Sequence, residues 1–171
     1  MRRASIAFLF LALIFIAGCA QYDRADCGNT QMYKLRLEQA RCYYNLALLQ
    51  EDELICDNIY TGTKGALYDV TSGKIKVECF KEVAIKKAEK YREEGVGIPN
   101  NIANICEKIN ANAEGDVSGN PASRDMCFYE VAVLTGHPSI CGRISEATVQ
   151  PSSEGDTKLS LRELCEEEAS H

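Results

Sequence analysis

Arg41-Cys42-Tyr43-Tyr44-Asn45-Leu46-Ala47, followed by Leu54-Ile55-Cys56-Asp57-Asn58-Ile59, begins a pattern that returns twice. The second copy is Glu78-Cys79-Phe80-Lys81-Glu82-Val83-Ala84, then Asn104-Ile105-Cys106-Glu107-Lys108-Ile109. The third is Met126-Cys127-Phe128-Tyr129-Glu130-Val131-Ala132, then Ser139-Ile140-Cys141-Gly142-Arg143-Ile144. Two motifs alternate: cysteine, aromatic, two variable positions, aliphatic, alanine; and Ile-Cys-x-x-Ile. Cys27 is a degenerate start and Leu164-Cys165-Glu166 a degenerate end. Such self-similarity marks a stack of like units, each too small to bury its own apolar face.

The motifs read as helical. From Met32 the positions 32, 35, 39, 42, 46 and 49 form one stripe, with Gln39 its polar member. Ile75, Cys79, Phe80, Val83, Ala84, Ala88 and Tyr91 form another, with lysines and glutamates opposite. Thr71 or Ser72 can cap that helix and Gly95 can end it. Pro99, Pro121 and Pro138 mark helix starts, and a last helix is expected over 157–169. The fold class is therefore all-α: a disulfide-stapled array of short antiparallel helices, or α-hairpin repeats.

Outside Cys19, eight cysteines remain: Cys27, Cys42, Cys56, Cys79, Cys106, Cys127, Cys141 and Cys165. An even set in an exported chain reads as disulfides. Structural zinc normally uses close-spaced ligand pairs. Here the sequence has no C-x-x-C, and its only histidines are His137 and His171. Cys141, in a short helix ending near Ile144, can meet Cys165 on a helix running back. Cys127 and Cys141 fit less well. This favours 27–42, 56–79, 106–127 and 141–165. The rival set, 42–56, 79–106 and 127–141 with 27–165 as a clasp, stays open.

The N-terminus has a different character. Arg2 and Arg3 precede thirteen uncharged apolar residues, Ile6 to Gly18. A membrane-spanning helix needs about 20, so this is the h-region of a signal peptide rather than a comfortable span. It ends in Ile16-Ala17-Gly18-Cys19. That ending resembles the lipobox of prokaryotic lipoproteins. The resemblance implies diacylglycerol on the Cys19 sulfur, cleavage before it, and display on the extracytoplasmic face of a membrane. It divides the chain into a signal peptide over 1–18, a short tether over 19–26, and a cysteine-rich helical repeat domain over 27–171. Ser123-Arg124-Asp125-Met126-Cys127-Phe128-Tyr129 resembles the R-D-x-C-Y-Y helices of cysteine-rich helical-repeat lipoproteins of archaea and small-genome bacteria. The first unit keeps only Arg41 before its cysteine, and the second has neither residue. That resemblance implies architecture and brings no activity.

Composition narrows the partners. The formal charge is −6 over 171 residues, and removal of residues 1–18 takes away two arginines and no acid. An acidic body does not suit nucleic acid, whose phosphates need a basic surface. It is also repelled by anionic headgroups, so the lipid anchor has to make the membrane attachment. The chain carries no nucleophile elbow, P-loop or H-E-x-x-H. No catalytic residue, metal ligand or cofactor is therefore assigned. His137, between Gly136 and Pro138, reads as a turn or capping residue, and His171 as a chain end. Asn112 to Asn120 alternates oxygen side chains like a calcium loop but lacks its glycine and final glutamate, so it reads as a polar loop. Residues 61–73 and 145–156 read as loops, and Glu166-Glu167-Glu168 as a solvated helix end. Tyr43-Tyr44 and Phe128-Tyr129 read as packing knobs between helices.

The function expected is a non-enzymatic binding or envelope-structure module, anchored through Cys19 and open to a protein or peptide partner. The alternatives are an envelope enzyme using paired carboxylates roughly 5–10 Å apart, and a small-ligand receptor.

Overall fold

A computed structural model of the chain describes residues 27–28, 36–61, 70–111, 121–146 and 160–171. The signal peptide expected over 1–18 and the tether expected over 19–26, with Cys19, lie outside these residues. So do the polar loop over 112–120 and most of the loops near 62–69 and 147–159.

Among the described residues the fold is helical, with seven helices and no strand: α1 (Arg36–Gln50), α2 (Glu53–Cys56), α3 (Val70–Glu94), α4 (Pro99–Ala111), α5 (Pro121–Thr135), a 3₁₀ helix (Pro138–Arg143) and α6 (Leu161–Glu168). Helix α3 packs against α1, α2, α4 and α5, and α5 in turn against α4, the 3₁₀ helix and α6.

The repeated motif residues make the core. The residue after each long-helix cysteine (Tyr43, Phe80, Phe128) is buried. So are those four and five positions on: Leu46, Val83 and Val131, then Ala47, Ala84 and Ala132. All six flanking isoleucines of the Ile-Cys-x-x-Ile motif are buried too: Ile55, Ile59, Ile105, Ile109, Ile140 and Ile144. Each such side chain contributes roughly 1.5–3 kcal/mol on leaving water, and each alanine lets a neighbouring helix approach closely.

Four disulfides cross this core: Cys27–Cys42, Cys56–Cys79, Cys106–Cys127 and Cys141–Cys165, with Cα separations of 5.6 to 5.8 Å. This is the connectivity that helix spacing favours, and the set with a 27–165 clasp is not formed. Apart from Cys27–Cys42, every pair joins consecutive helices, the first the shorter of the two: Cys56, Cys106 and Cys141 (the short-helix cysteines) bond Cys79, Cys127 and Cys165 (with Cys42, the long-helix cysteines).

Helix ends follow local chemistry. Asp52 caps α2 by accepting from the Leu54 amide at 2.9 Å. Ser160 and Glu163 form a reciprocal capping box on α6. Hydrogen bonds from the Ser160 amide and hydroxyl hold the Glu163 carboxyl below its usual range. Gly95 ends α3 at φ +68, its amide donating to the Tyr91 carbonyl at 2.8 Å. Gly136 does the same for α5 at φ +64. There the His137 amide reaches the Ala132 carbonyl at 3.0 Å, as the Asp52 amide reaches Ala47 at 3.1 Å after α1. Nothing lies within 4 Å of a Cβ built on Gly136. Gly136→Ala is therefore expected to cost about 1 kcal/mol through the left-handed φ alone, read as a lower urea midpoint with an unchanged slope.

Three expectations are corrected. The stripe on α1 is turned by about one residue: Ala40, Tyr43, Leu46 and Ala47 are buried, while Leu49 is 70% exposed. Tyr43, the bulkier side chain, takes the core side and leaves Cys42 facing Cys27. Thr71 and Ser72 do not cap α3, because the helix already runs from Val70. The last helix starts at Leu161 rather than 157, because Ser160 is extended at φ −66, ψ 148 to serve as its cap.

Candidate functional site

Counting from the cysteines organises the polar contacts of the surface. The residue three before each long-helix cysteine is a donor. Gln39 Nε2 donates to the Cys27 carbonyl at 3.0 Å. Lys76 Nζ donates to the Asp57 carbonyl at 3.2 Å. Arg162 donates to the Gly142 carbonyl at 3.3 Å and to that of Ile144. Each thus ties down backbone at or just beyond the cysteine its own helix is bonded to. The cation at the end of a short helix also meets the negative end of its dipole. Lys76 is buried in doing so, and that burial pulls its pKa down, against the opposing pull of Asp57. At the fourth such position Arg124 turns to Asp125 instead, its Nε at 3.3 Å and NH2 at 3.1 Å from Oδ1.

A second set involves the residue two after a short-helix cysteine. Lys108 lies 5.5 Å from the Phe80 ring centre and Arg143 5.9 Å from that of Phe128, both within cation–π range. The same two cations reach the acid one position after the preceding short-helix cysteine: Lys108 to Asp57 at 3.2 Å, Arg143 to Glu107 at 3.8 Å. Arg143 also donates to Asn104 Oδ1 at 2.6 Å.

The third set joins long helices. Lys81 pairs with Glu130 at 3.1 Å, and the Tyr129 hydroxyl donates to Glu168. In both, a residue two after one cysteine meets a residue three after the next. Tyr44 and Glu82 hold the same positions. Burial raises the Tyr44 pKa, and the charges of Glu82 and Glu78 raise it further. Burial raises that of Glu82 as well, with Glu78 adding to it. The second residue of each aromatic pair, Tyr44 or Tyr129, therefore sits half-buried at the seam while the first fills the core.

Tyr129 gives a pH prediction. Burial, with the Glu168 hydrogen bond and charge, pushes its hydroxyl from 10.0 to about 12. A folded pKa raised this way contributes stability that is complete below pH 10.0 and lost as pH rises through about 12. Phenolate absorbance should show one late-ionising tyrosine that is missing from Tyr129→Phe. The variant's melting temperature should also fall less steeply across that window.

No protein-family model, curated protein or solved structure matches this chain. Its chemistry has to be read from its own residues.

The sequence-singled residues fall as follows. His137 stands at the start of the 3₁₀ helix without a capping bond from its side chain. Its Nδ1 donates to the Thr135 carbonyl at 2.7 Å, and its ring meets Tyr91 edge-on at 5.7 Å. His171 and the Glu166–Glu168 run are exposed. Three open depressions of about 250–270 Å³ occur among the described residues. One, on α1, is lined by Glu38, Arg41, Cys42 and Asn45. Another lies between α3 and α5, at Val77, Glu78, Lys81, Ser123 and Met126. The third gathers Glu51, Glu89, Glu93 and Glu94 with Lys86 and Lys90. Lys90 pairs with Glu51 at 3.1 Å, so these acids are interleaved with cations. Among the described residues no group of three or more His, Cys, Asp or Glu is arranged to hold a metal ion, and no helix is long and apolar enough to cross a membrane.

The donors at Gln39, Lys76, Arg124 and Arg162 escape a reading by hydropathy. Aligning the units on their cysteines would have exposed them, since all four are long polar side chains at one offset.

Proposed function

We propose that this chain is a lipid-anchored protein of the extracytoplasmic face of a membrane. In this reading Cys19 carries diacylglycerol. Residues 27–171 form a disulfide-stapled array of α-hairpin repeats that acts as a non-enzymatic binding or envelope-structure module for a protein or peptide. The carrying observation is the shared register of the three contact sets. A donor three before one cysteine, a cation two after another, and a seam between positions two and three after successive cysteines recur from unit to unit. Recurrence of contacts, beyond recurrence of letters, is what stacked units require.

The address is supported by four disulfides, which persist in oxidising compartments, and by the lipobox at the end of an h-region. Seven residues separate Cys19 from Cys27, so the body would sit within about 28 Å of the bilayer. Lys81, Lys87, Lys90, Lys108 and Arg143 each pair with an acid some 34 to 51 residues away, which supports a cross-braced display surface.

Intact mass of the membrane-extracted protein, with and without reductant, tests the reading. The expected species lacks residues 1–18, carries a diacylglyceryl group, and gains two hydrogens for each of four bridges on reduction. A mass retaining residues 1–18 with no acyl group, or alkylation of all cysteines before reduction, would refute it.

A further inference from the structure

The four bridges are not equally placed. Cys27, Cys56, Cys79, Cys106, Cys127, Cys141 and Cys165 are each 0% exposed. Cys42 alone among the eight is only partly buried. It lines an open depression of about 260 Å³ together with Glu38, Arg41 and Asn45. The reason lies in the register. On α5 the residues four and one before the cysteine, Ser123 and Met126, face Val77, Glu78 and Lys81 of α3. On α1 the same two positions are Glu38 and Arg41. Among the described residues α1 is the first long helix, with no earlier one to lie against it.

We propose that Cys27–Cys42 is a thiol–disulfide exchange site, opened by an external dithiol while the other three bridges stay closed. The depression brings a small thiolate against Cys42, where the Arg41 guanidinium attracts its negative charge and the Glu38 carboxylate opposes that pull. The thiolate attacks Cys42 Sγ, the S–S bond breaks, and Cys27 leaves as a thiolate that takes a proton from water. The second thiol of the dithiol then attacks the mixed disulfide and releases Cys42. The dithiol ends as a cyclic disulfide and the protein gains two thiols.

The body survives this step. Ala40, Tyr43, Leu46 and Ala47 still hold α1 in the core, and Gln39 still bonds the Cys27 carbonyl. What changes is the attachment of the chain before α1. Where Cys19 carries the proposed lipid, the cross-link that fixes Cys27 to α1, eight residues after the anchor, is lost. That consequence rests on the anchor reading, whereas the exchange preference rests on burial alone.

The test uses the full oxidised chain exposed to graded dithiothreitol, quenched with an alkylating agent and mapped by peptide mass, with circular dichroism in parallel. Cys27 and Cys42 should be alkylated at least about tenfold faster than the other six, because buried bridges react only after local opening, and helicity should persist through that phase. First alkylation at any other pair, or all eight cysteines reacting together as helicity falls, would overturn the proposal.

Discussion

In excess dithiothreitol the melting temperature is expected to fall by tens of degrees, or the fold to be lost outright at room temperature. The four bridges span 15, 23, 21 and 24 residues. In the chain-entropy account each contributes about 3 kcal/mol, so together they approach about 12 kcal/mol. That is comparable to the whole stability of an ordinary domain. The core explains the dependence. The chain has no tryptophan, and the largest fully buried side chains are Phe80 and Phe128. Helix α2 has four residues and the 3₁₀ helix six, too few to hold a helical shape unaided. Thermal melts with and without reductant decide the matter: coincident curves would show that the core alone holds the fold.

Asp125→Ala is expected to be the most damaging of the polar substitutions, at about 3–5 kcal/mol. The carboxylate is fully buried on α5. Its Oδ1 accepts from Arg124 and its Oδ2 from the Ser145 amide at 3.1 Å. It thereby fastens the first turns of α5 to the chain leaving the 3₁₀ helix, close to where Arg162 grips the Ile144 carbonyl. Truncation removes the carboxylate that accepts from the Ser145 amide and that faces the Arg124 guanidinium. Asp125→Asn should cost less, since the amide oxygen still accepts from Ser145. The double variant Arg124→Ala/Asp125→Ala should recover part of the loss, because no uncompensated charge remains. Urea unfolding of the three variants gives the order, and equal losses in all three would refute the ion-pair account.

Much of the helix pattern was legible because its signals are local. Proline starts α4, α5 and the 3₁₀ helix, and glycine at positive φ ends α3 and α5. The Ser160-x-x-Glu163 capping box was equally local, yet a hydropathy reading ran past it to residue 157. The α1 stripe lies one position from its expected place, because a pattern of apolar against polar residues counts cysteine, tyrosine and leucine alike while only tertiary packing decides which of them faces inward. The candidate surface was the least legible part. Lys108, Arg143 and Lys81 are ordinary solvated charges in sequence, and their partners Asp57, Glu107 and Glu130 lie some 36 to 51 residues away.

The amino-acid sequence by itself determined that helices would form, where most of them begin and end, and that an even set of cysteines sits at repeated offsets. Caps, turns and periodicity act over a few residues, and those residues are adjacent in the chain. The tertiary structure decided which cysteine meets which, which one stays open to solvent, and which charge answers which. Each of those outcomes depends on distances between helices that are close in space and far apart in sequence.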